Sequence, residues 1–270
     1  MKFDFDAEYF NPLHTLDCGQ VFRFYPYKEG FAVISADKAC YVHSEGNKTV
    51  VESSDCDYFW HYFDLDRDYS EIVEKAKSFN IPLLSRSAEQ CKGLRILNQN
   101  REEMIFSFII SQNNNIPRIK GIINRICEGL GERVDGKYYA FPKAKAIAEA
   151  GAEFFRSAGA GYRDVYLVET GARIAAEGIE RLESLDAPAL KAELLKYTGI
   201  GPKVADCVSL FGFGKMTSFP VDTWIEKIYR EDFGGTLTNR DKISKYLVET
   251  FKEYSGYMQQ YLFYGKRLNL

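Results

Sequence analysis

The chain has 270 residues, 46% hydrophobic and 27% charged, a globular balance with room for more than one domain. Its formal net charge of −3 and sequence pI near 5.8 argue against a broad basic footprint for nucleic acid, although backbone N–H groups at helix N-termini also hold phosphates. The six cysteines, Cys18, Cys40, Cys56, Cys91, Cys127 and Cys207, make no C-x-x-C pair, and His14, His43 and His61 stand apart, which speaks against a zinc ribbon, a redox motif or a His-rich metal centre.

Chain order gives two regions. Gln20–Phe24, Phe31–Ile34, Ala39–His43 and Lys48–Glu52 alternate as strands, separated by turns at Lys28–Gly30, Ala36–Lys38 and Glu45–Asn47, which predicts an antiparallel meander. After Ser54 the apolar spacing becomes helical: Asp55–Phe63, Asp68–Val73, Glu103–Ser111, Arg118–Leu130, Lys143–Ala150, Asp164–Glu177 and Ala187–Tyr197. The expected class is α+β, with an N-terminal sheet domain over residues 1–92 and a helical region over 93–270. No apolar run is long enough to cross a bilayer and no signal peptide opens the chain, so free thiols in a bacterial or archaeal cytoplasm are expected.

The segment 194–208 carries the strongest local signal. A helix is expected to end at Tyr197, Gly199-Ile200-Gly201 to turn, and Pro202 to occupy the first position of a new helix. The free N–H groups there suit a phosphate, and the glycines permit close backbone approach. A plain αα-corner with a glycine cap fits the same residues. Lys203 sits against the helix dipole, which disfavours its charged form and favours the nucleophilic one. Further on, Thr223 to Glu226 fits a capping box, with Asp222 at or just before the cap. Asp222 is either a simple cap or a carboxylate placed to stabilise positive charge on a sugar.

These residues, "GIGPKVADCVSLF … PVDTW", resemble the helix-hairpin-helix (HhH-GPD) DNA glycosylases, and within them the 8-oxoguanine glycosylases. The resemblance extends to Cys18-Gly19-Gln20-Val21-Phe22-Arg23-Phe24, to Gln112-Asn113-Asn114-Asn115 followed by Arg118, to Gly161-Tyr162-Arg163, and to Gly256-Tyr257-Met258-Gln259 with Phe263. It implies Lys203 as nucleophile and Asp222 as its partner. It implies Gly19 as acceptor for the extra N7–H of the oxidised base, Gln259 on the base edge, and Cys207 and Phe263 as the sandwich around the base. Asn113 would fill the gap left by the extruded base, Tyr162 would wedge the duplex, and Arg118 and Arg163 would read the orphaned cytosine. Gly199 and Gly201 would bring the hairpin to a phosphate.

The implied activity is a glycosylase and abasic-site lyase on double-stranded DNA containing oxidised guanine. It acts as a monomer, with no membrane partner and no required cofactor, though hairpin carbonyls of the family can hold a structural cation. The lesion would flip into a pocket between the two regions. Free lysine has a pKa of about 10.4, so burial and the dipole must help to deprotonate Lys203. The departures are Trp224, where animal relatives have a phosphate-contacting histidine, and the lack of any cysteine after Cys207, which removes the iron–sulfur site of the endonuclease III branch. Two alternatives stay open: a glycosylase for another damaged purine, such as an alkylated base, and a non-catalytic HhH DNA-binding module.

Overall fold

The structure is a computed structural model describing residues 1–270. It opens with β1 (Lys2–Asp6) and α1 (Pro12–Asp17), the latter capped by Asn11, which accepts the His14 N–H at 3.1 Å. β2 (Phe24–Tyr27), β3 (Gly30–Ser35), β4 (Lys38–Glu45) and β5 (Lys48–Ser53) form the antiparallel meander. Its hairpins close tightly because Lys28, Ala36 and Gly46 adopt positive φ (49°, 50° and 63°), the sense that matches strand twist. β1, which has no counterpart among the expected strands, pairs with β5, giving the order β1-β5-β4-β3-β2.

Gln20–Phe24 departs from expectation. Cys18–Gln20 is a turn, Val21–Arg23 has no regular structure, and β2 begins at Phe24. The alternating polar residues do not face water. Gln20 and Arg23 are buried, and Gln20 bonds like a length of backbone. Its Nε2 donates to the carbonyls of Thr15 (2.9 Å) and Arg95 (2.7 Å), and its Oε1 accepts from Leu97 N–H (2.9 Å).

The helices are α2 (Cys56–Tyr62), α3 (Tyr69–Ser78), α4 (Pro82–Gln90), α5 (Arg101–Ser111) and α6 (Ile116–Leu130). A small hairpin, β6 (Arg133–Val134) and β7 (Tyr138–Tyr139), comes next. Then follow α7 (Ala144–Ser157), α8 (Asp164–Glu177), α9 (Ala187–Leu194), α10 (Pro202–Phe211), α11 (Thr223–Glu231), α12 (Arg240–Phe251) and α13 (Ser255–Arg267). No helix is long and apolar enough to cross a membrane. The expected helix over 143–150 stops where Gly151 leaves helical geometry at φ 73°, and a second stretch then runs to Ser157.

Two apolar cores hold these parts. The smaller lies between the sheet and α2, with Phe10, Val33, Val42, Val51, Phe59 and Phe63. The larger fills the helical body, and it also takes in α3, α4 and the residues Cys18 and Phe22. Two buried arginines stitch across. Arg95 donates to the carbonyls of Phe63 (2.9 Å), Tyr9 (2.7 Å), Arg67 (2.8 Å) and Asp64, and lies 4.0 Å from the centre of the Tyr69 ring. Arg23 pairs with Glu103 at the start of α5 at 3.1 Å.

Candidate active site and DNA-facing surface

The hairpin is built as expected at its second helix and tighter at its first. α9 ends at Leu194, not Tyr197, because the N–H groups of Lys196 and Tyr197 reach back only three residues, to Glu193 (3.1 Å) and Leu194 (3.0 Å). Gly199 takes φ 81°, and a Cβ there would lie 2.5 Å from Tyr166 Cδ2, so both backbone and space require glycine. Its carbonyl accepts Gln112 Nε2 at 2.8 Å, while the Thr198 carbonyl accepts Thr170 Oγ1 at 2.9 Å, which locks the turn onto α5 and α8. Gly201 is the cap of α10 and faces open space. No side chain caps this helix, and the N–H groups of Lys203 and Val204 have no partner within the chain.

Lys203 occupies the second position of α10 and is half-buried. Its Nζ lies 5.5 Å from the centre of the Phe108 ring, and its charge acts on Cys207 one turn below. Burial pushes the Cys207 thiol up to about 11, with Lys203 pulling the other way, so Cys207 is a neutral wall at ordinary pH. Asp222 also acts on the same thiol, pushing it up. α10 is anchored on its far side by Asp206, which Lys191 Nζ approaches at 2.8 Å and whose carboxyl burial raises to about 6.

Asp222 is itself the cap of α11, accepting Ile225 N–H at 3.0 Å. Thr223 is therefore the first helical residue and not the capping one, and Glu226 is taken up by Arg230 and Arg240. The aspartate keeps its remaining acceptor sites outside the helix. We expect Asp222→Asn to leave the melting temperature nearly unchanged, because asparagine caps as well, and Asp222→Ala to cost about 1 kcal/mol. Thermal melts of the two variants check this.

Gly19 sits at φ 86°, and a Cβ there would meet the Phe263 ring at 3.2 Å. Its carbonyl accepts no hydrogen bond within the chain. Gln259, one turn before Phe263 on α13, is 5% exposed, and its Oε1 has no partner. A buried amide left unpaired costs about 1–3 kcal/mol, so this acceptor is suited to a ligand's donor. Phe22 meets the edge of Phe108 at 5.8 Å between ring centres, and Phe108 faces Lys203, which links the glycine turn to the lysine. Sequence reasoning missed both phenylalanines, since nothing in the pattern separates a pocket wall from core.

The remaining residues form a second group. Asn113 is exposed at φ 45°, while Asn115 caps α6 by accepting Arg118 N–H at 3.0 Å. Arg118 is exposed, with one contact of 3.4 Å to the Gly159 carbonyl. Tyr162 is 54% exposed and packs edge-on to Tyr166. Arg163 is different, being 3% exposed. Its guanidinium donates to the carbonyls of Gln112 (3.1 Å from Nε), Ala160 (2.9 Å) and Asn113 (3.3 Å). One of its five N–H groups, on Nη1, has no partner in the chain, so contact with a base does not require these bonds to break. Trp224, two residues past Asp222, is 42% exposed.

Residues 2–105 match the family model of the 8-oxoguanine DNA glycosylase N-terminal domain, and residues 106–253 match that of the HhH-GPD superfamily base excision DNA repair proteins. The chain belongs to the HhH-GPD superfamily. This HhH-GPD protein superposes on the Clostridium acetobutylicum 8-oxoguanine glycosylase/lyase, solved with double-stranded DNA containing cytosine opposite 8-oxoG. The TM-score is 0.91 at 37% identity, covering 100% of this chain and 98% of that one. It is 34% identical over 189 residues to the N-glycosylase/DNA lyase of Saccharomyces cerevisiae, covering 64% of this chain but half (50%) of that protein's length. A probable N-glycosylase/DNA lyase of Methanothermobacter thermautotrophicus is 30% identical over 225 residues, covering 74% of this chain and 70% of that protein.

Proposed function

We propose that this HhH-GPD protein is a bifunctional DNA glycosylase and abasic-site lyase that removes 8-oxoguanine paired with cytosine. The observation that carries the reading is a half-buried lysine, Lys203, at the uncapped start of α10, one turn from Cys207, with Asp222 as the cap of α11. The unpartnered Gly19 carbonyl beside Phe263 adds the feature that favours an oxidised purine over an alkylated one. An acceptor aimed at N7–H rewards the lesion and leaves guanine, which lacks that hydrogen, with an unpaired contact.

The oxidised base leaves the stack and enters between Cys207 and Phe263, with Gln259 on its edge. The neutral amine of Lys203 attacks the sugar C1′. A nitrogen–carbon bond forms as the bond from C1′ to the base nitrogen breaks, and the base departs with a proton. The Asp222 carboxylate stabilises the positive charge that develops on the sugar. The C1′–O4′ bond then breaks as O4′ takes up a proton, which opens the sugar ring and leaves a Schiff base between Lys203 and C1′. Loss of a C2′ proton expels the 3′-phosphate by β-elimination and nicks the strand. Protein groups carry every step. The hairpin offers only main-chain carbonyls to a cation, a hard oxygen set suited to a structural ion. The free N–H groups beyond Gly201 take a backbone phosphate. The sheet domain (1–92) supplies the acceptor and the helical region (93–270) the nucleophile. The protein works as a monomer on chromosomal DNA in the cytoplasm.

Borohydride trapping tests the reading. A duplex carrying 8-oxoguanine opposite cytosine should yield a covalent protein–DNA adduct, and no adduct would overturn it. On the opposite strand, Asn113 fills the vacated stack, Tyr162 wedges it, and Arg118 and Arg163 meet the cytosine. The two arginines should separate by experiment. Arg118→Ala is expected to relax the preference for cytosine, a loss of about 1–3 kcal/mol in discrimination. Arg163→Ala should also weaken binding to every duplex, because it frees the Asn113 loop. Excision rates against the four opposing bases distinguish the two patterns, and unchanged discrimination in both removes the arginines from that role.

A further inference from the structure

The Gly19 carbonyl is free, yet everything around it is fastened. On one side the Cys18 carbonyl accepts Gln260 Nε2 at 2.7 Å, and the Asp17 carbonyl accepts Arg267 Nη1 at 2.7 Å. Arg267 Nη2 also stands 3.7 Å from the Asp17 carboxylate. On the other side the Gln20 side chain is held by Thr15, Arg95 and Leu97. Phe263 packs on Gly19 itself. The peptide before Gly19 is thus fixed by α13 and the residue after it by the body of the protein, so rotation at Gly19 has nowhere to go.

The three α13 residues stand at i, i+3 and i+7, one face of the helix. Gln260 is 1% exposed. A buried amide costs free energy unless it is bonded, and a leucine would fill the same space. Its bond to the Cys18 carbonyl lies where the direction of one carbonyl matters.

We propose that Gln260 and Arg267 are positioning residues that set the aim of the Gly19 carbonyl and thereby the preference for oxidised over normal guanine. The proposal rests on the base-excision reading above. Neither side chain bonds to Lys203 or Asp222, so the step at Lys203 does not depend on them.

The test uses Gln260→Met and Arg267→Met in the full chain. The arginine is a partly exposed site whose variant will fold. Single-turnover release of 8-oxoguanine opposite cytosine should fall about five- to tenfold for each lost bond. The binding ratio of lesion duplex to undamaged duplex should fall by the same factor. Strand cleavage at a preformed abasic site, which has no base to recognise, should stay at the wild-type rate. Equal loss of both activities would mean a general structural role and overturn the proposal, as would unchanged excision and binding ratio. A wild-type protein inactive on both substrates overturns the base-excision reading instead.

Discussion

Lys203→Gln should abolish the borohydride-trapped adduct and slow lesion excision by at least about a thousandfold, since a group that forms the covalent intermediate has no substitute of comparable reactivity. Glutamine keeps most of the length and loses the amine. The fold should not notice. Lys203 is half-buried at a helix start, and its Nζ faces the Phe108 ring and no acidic partner. Removing a cation from that end of a helix is neutral to favourable, so stability should change by no more than about 0.5 kcal/mol. Lys120 supplies the control. Burial lowers its ammonium to about 8, yet its Nζ is spent on the Phe24 carbonyl at 3.3 Å and on the Phe24 ring. Lys120→Gln should therefore leave trapping intact. Adduct formation by Lys203→Gln, with a normal melt, would assign the chemistry elsewhere.

Glu103→Ala should cost about 3–5 kcal/mol of folding stability, because it strands a buried guanidinium. The Arg23 and Glu103 side chains are 2% and 4% exposed. Glu103 Oε2 also accepts Ala36 N–H at 3.0 Å, and Arg23 also donates to the carbonyls of Ala36 and Tyr139. One ion pair therefore joins the sheet, α5 and the small β6–β7 hairpin. Replacing both partners, as Arg23→Met with Glu103→Leu, should cost much less than Glu103→Ala alone, since no charge is left without its counterpart. Urea unfolding of the single and double variants gives the comparison. A single-variant loss under about 1 kcal/mol would show that water reaches the pair. Activity should fail before global unfolding, because Arg23 is continuous with the Gly19 turn.

The helices were legible where one apolar face recurs over many residues, as in Asp164–Glu177, and the hairpins where two turn residues interrupt an alternation. The failures share a cause. Gln20–Phe24 alternates like a half-solvated strand, but its polar residues bond to Thr15, Arg95, Leu97 and Glu103, some of them far along the chain. Arg163 was legible as a DNA-contact residue but not as a buried one, for the same reason. Asp222 was legible as a residue near a cap, but only the backbone shows it to be the cap. Phe108, Phe22 and Gln260 carry no local sign of their places, which are set by packing between distant segments. At the hairpin, Pro202 and the two glycines were readable because they act on backbone geometry directly.

Asn113 holds a left-handed backbone that a non-glycine residue seldom adopts, and Arg163 grips the carbonyls of Asn113 and Gln112 before any DNA is present. The ordering of that tip is therefore completed during folding. A protein that inspects very many intact base pairs for each damaged one gains from this. On the base-excision reading, a tip already held in place can meet each step of the duplex without paying an ordering cost at every stop.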